Sequence, residues 1–120
     1  KRDRCGWAEI FSIVERRVQS EVCPMFFQLG TGVMQATLFE SAGFTGVQTE
    51  RITTVLEYEN GEEACVAAFA GGPVAMAYSR FDDETRASAH ADYLQSIAAF
   101  KRGAGYAVAG EFVVTRGERP

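Results

Sequence analysis

The stretch from Leu38 to Tyr58 reads LFESAGFTGVQTERITTVLEY and holds a helix end followed by a long strand. Residues 33 to 42 fit a helix, with Met34, Leu38 and Ala42 in one row. Gly43 stands where a helix needs a left-handed C-terminal cap. Phe44 is placed for the hydrophobic contact that accompanies such a cap. From Val47 to Tyr58 the chain is rich in β-branched and aromatic residues, which suit a pleated surface. Its alternation changes phase: Val47 begins on one face, while Ile52, Leu56 and Tyr58 lie on the other. A bulge, or burial on both faces, accounts for such a change.

Before this stretch, Trp7, Ile10, Phe11, Val14 and Val18 share one face of a helix over about residues 7–19. Pro24 then breaks the chain, and CPMFFQLGTG (23–32) reads as an ordered apolar loop or a very short strand. After it, NGEEACVAAFAGGP (60–73) reads as a short helix ending at Gly71-Gly72, with Pro73 opening the next. Val74, Ala77, Tyr78 and Phe81 form that helix's row. Asp82 can cap a longer helix, and Asp83 and Glu84 suit the positive end of its dipole. Tyr93, Leu94, Ile97 and Phe100 form its apolar face, Lys101-Arg102 its C-terminal end, and GAGY (103–106) its stop. GEFVVTRGERP (110–120) closes the chain with a buried-looking strand, Phe112 to Thr115.

Composition limits what such a chain does. Apolar residues make up 47% and charged residues 23% of the 120, as in an ordinary globular domain. Net charge is −4, and basic residues are scattered apart from Arg16-Arg17 and Lys101-Arg102. Neither nucleic acid nor an anionic membrane surface attracts such a chain. No apolar run approaches the roughly 20 residues of a membrane span, and no signal-peptide pattern opens the sequence. Cys5, Cys23 and Cys65 are far apart, without a C-x-x-C, and one histidine cannot complete a zinc site with them. They read as free thiols, and the expected location is cytoplasmic. The chain begins at Lys1, which suggests a trimmed piece of something longer.

Four groups of residues invite a chemical reading. Gly30 and Gly32 match the first two glycines of a dinucleotide fingerprint, and Glu50 stands near the place of its acidic residue. Gln35 occupies the third glycine's position, the lead-in strand is short, and parallel strands are too few for a cofactor crevice. A tight turn into a helix explains the glycines more simply. His90 lies at the edge of an apolar face, where a packed histidine outweighs a catalytic one. Asp82, Asp83 and Glu84 are better explained as a capped helix start than as metal ligands. Trp7, Phe26, Phe27 and Tyr106 can line an apolar pocket or form core, and core is favoured.

Taken in order, these segments resemble the C-terminal half of a class I S-adenosyl-L-methionine-dependent methyltransferase. The likeness is to the small-molecule enzymes related to ubiquinone and menaquinone biosynthesis. LFESAGFTGV (38–47) is similar to that family's L-x-x-A-G-F-x-x-V step into its sixth strand, with one extra residue between leucine and alanine. GGPVA (71–75) is similar to the helical insertion between the sixth and seventh strands, and GEFVVTRG (110–117) to the seventh. CGWAEIF (5–11) and PMFFQLGTG (24–32) resemble the segment that covers the substrate side.

The resemblance implies an α/β fold, the C-terminal part of a Rossmann-like methyltransferase domain. It would have an antiparallel strand pair, about 46–58 and 110–117, under four to five helices, with residues 1–120 forming a single partial domain. It implies methyl transfer to a small molecule by the parent protein, with no activity in this part alone. The donor-binding segments would precede Lys1, so no S-adenosyl-L-methionine-binding residue is assigned. Substrate-pocket candidates by position are Trp7, Met25, Phe26, Phe27, Met76 and Tyr78. No catalytic residue and no metal ligand is assigned. The outer edge of Phe112–Thr115 is expected to be unpaired and to favour self-association. A rival reading is a stand-alone α+β binding or regulatory module that holds an apolar ligand.

Overall fold

The computed structural model describes residues 1–18 and 27–120. In chain order the main elements are α1 (Glu9–Glu15), α2 (Met34–Ser41), β1 (Thr45–Tyr58), α3 (Gly61–Cys65), α4 (Ala75–Tyr78), α5 (Asp83–Ser96), β2 (Lys101–Arg102) and β3 (Gly105–Glu118). The described residues thus form a mixed α/β structure, with five α-helices and a three-stranded antiparallel sheet in the order β1-β3-β2.

The helix-to-strand step at Gly43 forms as its residues dictate. Gly43 has φ of 85°. Its N–H donates to the Glu40 carbonyl at 2.9 Å, and the Phe44 N–H donates to the Phe39 carbonyl at 3.0 Å. These two bonds are the paired closure of a Schellman cap. The Phe39 and Phe44 rings complete it with centroids 5.1 Å apart. A Cβ added at Gly117 would lie 3.2 Å from the Phe44 Cβ, so a glycine lets this ring pair rest against β3.

β1 and β3 are 14 residues each and pair from Thr45↔Glu118 to Tyr58↔Tyr106, with a register shift between Thr45 and Gln48. The shift lies at Val47, where the sequence pattern changes phase, and Gly46 there has φ of 60°. A bulge is therefore present there, but the phase change itself comes from burial of both faces, one at each end of the ribbon. The two ends of the ribbon bury opposite faces. Near Tyr58, the inward residues are Leu56, Val108 and Gly110. Near Thr45, they are Val47, Val113, Thr115 and Gly117, with Thr115 Oγ1 donating to Gln35 of α2 at 2.8 Å.

The core lies on the first of these faces. Ile10, Ile13 and Val14 of α1 meet Phe69, Tyr93, Ile97 and Val108, all at most 2% exposed. Asp82 caps α5 through Oδ1, which accepts from the Thr85 N–H at 2.8 Å. Asn60 caps α3 in the same way through Glu63. A π-helical turn, Val66–Ala70, continues α3 and buries Ala68 and Phe69.

Several expectations are corrected. The antiparallel pairing expected of the two long strands is found, but the sheet has a third strand, β2, and the parallel pairing of a Rossmann-like fold does not occur among the described residues. The helical insertion between β1 and β3 returns the chain in the opposite direction. The closing strand starts at Gly105 rather than near 110. Lys101-Arg102 do not end α5; they form β2, which turns into β3 through Gly103 at φ 59°. Gly105 follows because a Cβ there would meet the Tyr58 carbonyl oxygen at 2.3 Å. Pro73 precedes α4 by a turn instead of opening it, and α1 is shorter than the expected 7–19. No described helix is long and apolar enough to cross a membrane.

The outer edge of β3 is partly occupied. β2 pairs only with Gly105 and Tyr106. Further on, the Gly6 N–H donates to the Ala109 carbonyl at 2.8 Å. A Cβ at Gly6 would lie 2.5 Å from the Phe100 ring, so only glycine brings the backbone this close. Phe112–Thr115 have no strand neighbour on that side among the described residues.

Two outcomes follow. Gly43→Ala forces a Cβ into the left-handed region and should lower stability by about 1–2 kcal/mol, read from urea unfolding; no change would mean that the cap is dispensable. The open length of β3 should cause association at micromolar concentration in sedimentation. A cooperatively melting monomer would show that the edge is inert.

Candidate functional site

A cleft of about 390 Å³ opens between the sheet and the helical insertion. Trp7 and Ile10 come from the N-terminal segment, Leu56 and Tyr58 from β1, and Tyr93 from α5. The facing wall is made of small residues: Ala67 and Ala68 of the π turn, then Gly71, Gly72 and Pro73. A Cβ at Gly72 would approach the Ala68 carbonyl oxygen to 2.7 Å, so this wall is bare backbone by necessity. No charged side chain lines the cleft among the described residues. π-helical turns are frequent at functional sites, and apolar concave surfaces with few polar groups are typical of small-molecule sites.

Two tyrosines, Tyr58 and Tyr93, border the cleft. Tyr93 is fully buried, and its hydroxyl has no hydrogen-bond partner. Burial raises its pKa, and the nearby Tyr58 and Cys65 raise it further. Burial also raises the Tyr58 pKa, with the Glu63 carboxylate adding to it. Both hydroxyls therefore stay protonated at neutral pH. They can donate hydrogen bonds but do not serve as bases. Burial pushes the Cys65 thiol up to about 11, so it too is uncharged.

The sequence-derived candidates separate. Trp7 lines the cleft, and Phe27 packs on its other side with ring centroids 5.3 Å apart. Met25 and Phe26, like Cys23, lie outside the described residues. Met76 is 78% exposed and lines no part of the cleft. Tyr78 is separated from the cleft: it stacks on Phe69, whose ring meets Tyr93 edge-on. Tyr106 packs against the core. The pattern left Leu56, Tyr58 and Tyr93 unmarked as site residues. The available signal was the run of alanines and glycines from Ala64 to Gly72, which permits close approach opposite an aromatic row.

The plainer readings of the other motifs hold. Gly32 has φ of 56° and leads the chain into α2. Arg51 Nη2 donates to the Gly30 and Gly32 carbonyls at 3.0 and 2.8 Å, and Nη1 to Glu111 at 2.8 Å. The glycine loop thus turns carbonyls towards a cation. A phosphate cradle needs N–H groups turned towards an anion. Asp82 is occupied as a cap.

His90 is a packed histidine. Its Nε2 lies 2.8 Å from the Tyr78 hydroxyl, and its ring stacks on Phe69. Burial lowers its pKa, and the positive charge of Arg86, itself over the Tyr78 ring, lowers it further. The folded state therefore binds this proton less readily than the unfolded chain. The contribution is full above the ordinary histidine value of about 6.5 and is lost as pH falls below it. As His90 is the sole histidine, its imidazole NMR titration should have a midpoint below 6.5. A midpoint at or above that value would show that neither burial nor Arg86 governs the ring.

Compared with protein-family models, with curated proteins and with solved structures, the chain matches none.

Proposed function

We propose that this chain is the C-terminal, substrate-side portion of an S-adenosyl-L-methionine-dependent methyltransferase acting on a small molecule, and is not active alone. One observation carries this reading. A glycine-capped helix feeds a strand, a helical insertion follows, and a second strand returns antiparallel beside the first, with an apolar cleft under the insertion. That order is the order of the resembling segments. On this reading β1 corresponds to the sixth strand and β3 to the seventh.

Methyl transfer from a sulfonium needs the nucleophile, the methyl carbon and the leaving sulfur in line, in surroundings that exclude water. The donor supplies the activated methyl group when bound to the parent protein. The part of these residues is to hold the acceptor. Trp7, Leu56 and the Ala67–Gly72 wall exclude water, while the neutral phenol of Tyr58 offers a hydrogen bond for orientation.

A second reading, a stand-alone ligand-binding module, draws support from the same cleft, which lies wholly within this chain. Calorimetry with S-adenosylhomocysteine separates the readings in two steps. The 120-residue chain should give no micromolar binding heat. A longer product of the source reading frame, carrying an upstream glycine-rich strand-loop-helix, should give it. Micromolar binding by this chain alone would overturn the claim that it is inactive alone. A start codon directly before Lys1, with no such upstream segment, would favour the module.

A further inference from the structure

We propose that residues 27–32 form a strap that closes the outer edge of β3 at Val113 against pairing with a second copy of the chain, with Arg51 as its clasp.

The path of these residues makes a crossing. At one end, the Phe27 ring packs on Trp7 and Phe11, with centroids 5.3 Å from each. Trp7 stands over Gly110, on the face of the ribbon that carries the core: a Cβ at Gly110 would lie 3.7 Å from the indole Nε1. By Gly30 the chain is on the opposite face. A Cβ at Gly30 would lie 3.8 Å from Cγ2 of Val113, and Val113 shares a face with its cross-strand partner Arg51. Between Phe27 and Gly30 the chain rounds the outer edge of β3. A crevice of about 250 Å³ marks the place, bounded by Cys5, Phe27, Gly30, Phe112 and Val113 among others.

The edge at this point is one that another strand can use. The Ala109 carbonyl accepts from the Gly6 N–H, and the Glu111 carbonyl accepts from the Cys5 thiol at 3.8 Å. These residues therefore turn their main-chain groups outward, and in an antiparallel strand every second residue does so. Val113 and Thr115 are the next two. No main-chain hydrogen bond joins residues 27–32 to β3 among the described residues. The strap thus covers the outward groups of Val113 without pairing them. Covering an edge with a loop is one way in which proteins keep other strands from adding to it.

The hold on the strap is polar and close to the surface. Arg51 binds the Gly30 and Gly32 carbonyls and the Glu111 carboxylate, and its side chain is 35% exposed. Loss of Arg51 frees the far side of the strap while Phe27 stays packed on Trp7 and Phe11. Pairing at Val113 is then conditional on one side chain.

Sedimentation velocity over a concentration series gives the test. Arg51→Ala should lower the concentration of half-association at least about tenfold against the unsubstituted chain, as the added hydrogen bonds of two Val113 residues per dimer imply. The substitution makes the chain more acidic, which opposes association, so charge does not produce this change. In the same variant the Thr31 amide, bonded to the Gln28 carbonyl within the strap, should exchange with deuterium faster. The Val113 amide should become protected as concentration rises. Arg51→Ala/Val113→Pro should return to the unsubstituted value, because proline removes the outward N–H and leaves the bonds to β1 in place. If Arg51→Ala does not fold by circular dichroism, Glu111→Gln, which weakens only the anchor of Arg51, should show the same changes in smaller measure. Four results would each overturn the proposal: unchanged association in the variant that folds, an unchanged Thr31 amide, a double variant that associates as tightly as Arg51→Ala, or a Val113 amide indifferent to concentration.

Discussion

Every other feature of this protein depends on the antiparallel ladder between β1 and β3. A ribbon of 14 residues on each strand twists along its length, and a two-stranded ribbon is marginal in water without cover. The cover is divided. α1, α3 and α5 pack on one face near Tyr58, and α2 packs on the opposite face near Gly117. The middle of the ribbon is where burial passes from one set of positions to the other: Gly110 is the last buried residue of its set, and Glu111 begins the next. Phe112 and Val114, just beyond that crossover, stay exposed because neither group of helices reaches them. The cleft lies at the well-covered end, where aromatic side chains from three separate segments converge.

How much of this could be read in advance differs by element. The cap at Gly43 was legible because a left-handed backbone and a C-terminal hydrophobic contact leave a local signature, glycine then phenylalanine. The caps at Asp82 and the bulge near Val47 were legible for the same reason: their causes lie within a few residues. Lys101-Arg102 misled because two cations after a helical row suit a helix end. Their actual partners, Tyr106 and Gly105, are set by the turn at Gly103-Ala104. The Gly6 contact with Ala109 was invisible, since it joins segments about a hundred residues apart. The candidate site was legible only at Trp7 and, at one remove, Phe27. Tyr93 belonged to a row that any helix needs for its core, and nothing local distinguishes a core phenol with a partner from one without.

The cleft and the Tyr78–His90 pair illustrate a division of aromatic residues into two roles. Phe69 stands between them, stacked on Tyr78 and His90 and edge-on to Tyr93. On its outer side the polar atoms satisfy one another, at 2.8 Å. On its inner side they do not. A single buried phenylalanine thus separates a satisfied polar pair from a buried hydroxyl that has no partner.

The Arg51 joint has an implication for how this protein tolerates change. Arg51 holds the loop before α2 by two backbone carbonyls and is itself anchored by Glu111. The joint therefore ignores the loop's side chains. Substitution at Leu29 can alter the surface beside Trp7 without altering where the loop sits, provided the backbone turn at Gly32 persists. At this loop, positional constancy and compositional freedom are uncoupled. The surface beside Trp7 is thus free to vary among related sequences while the frame that presents it stays fixed.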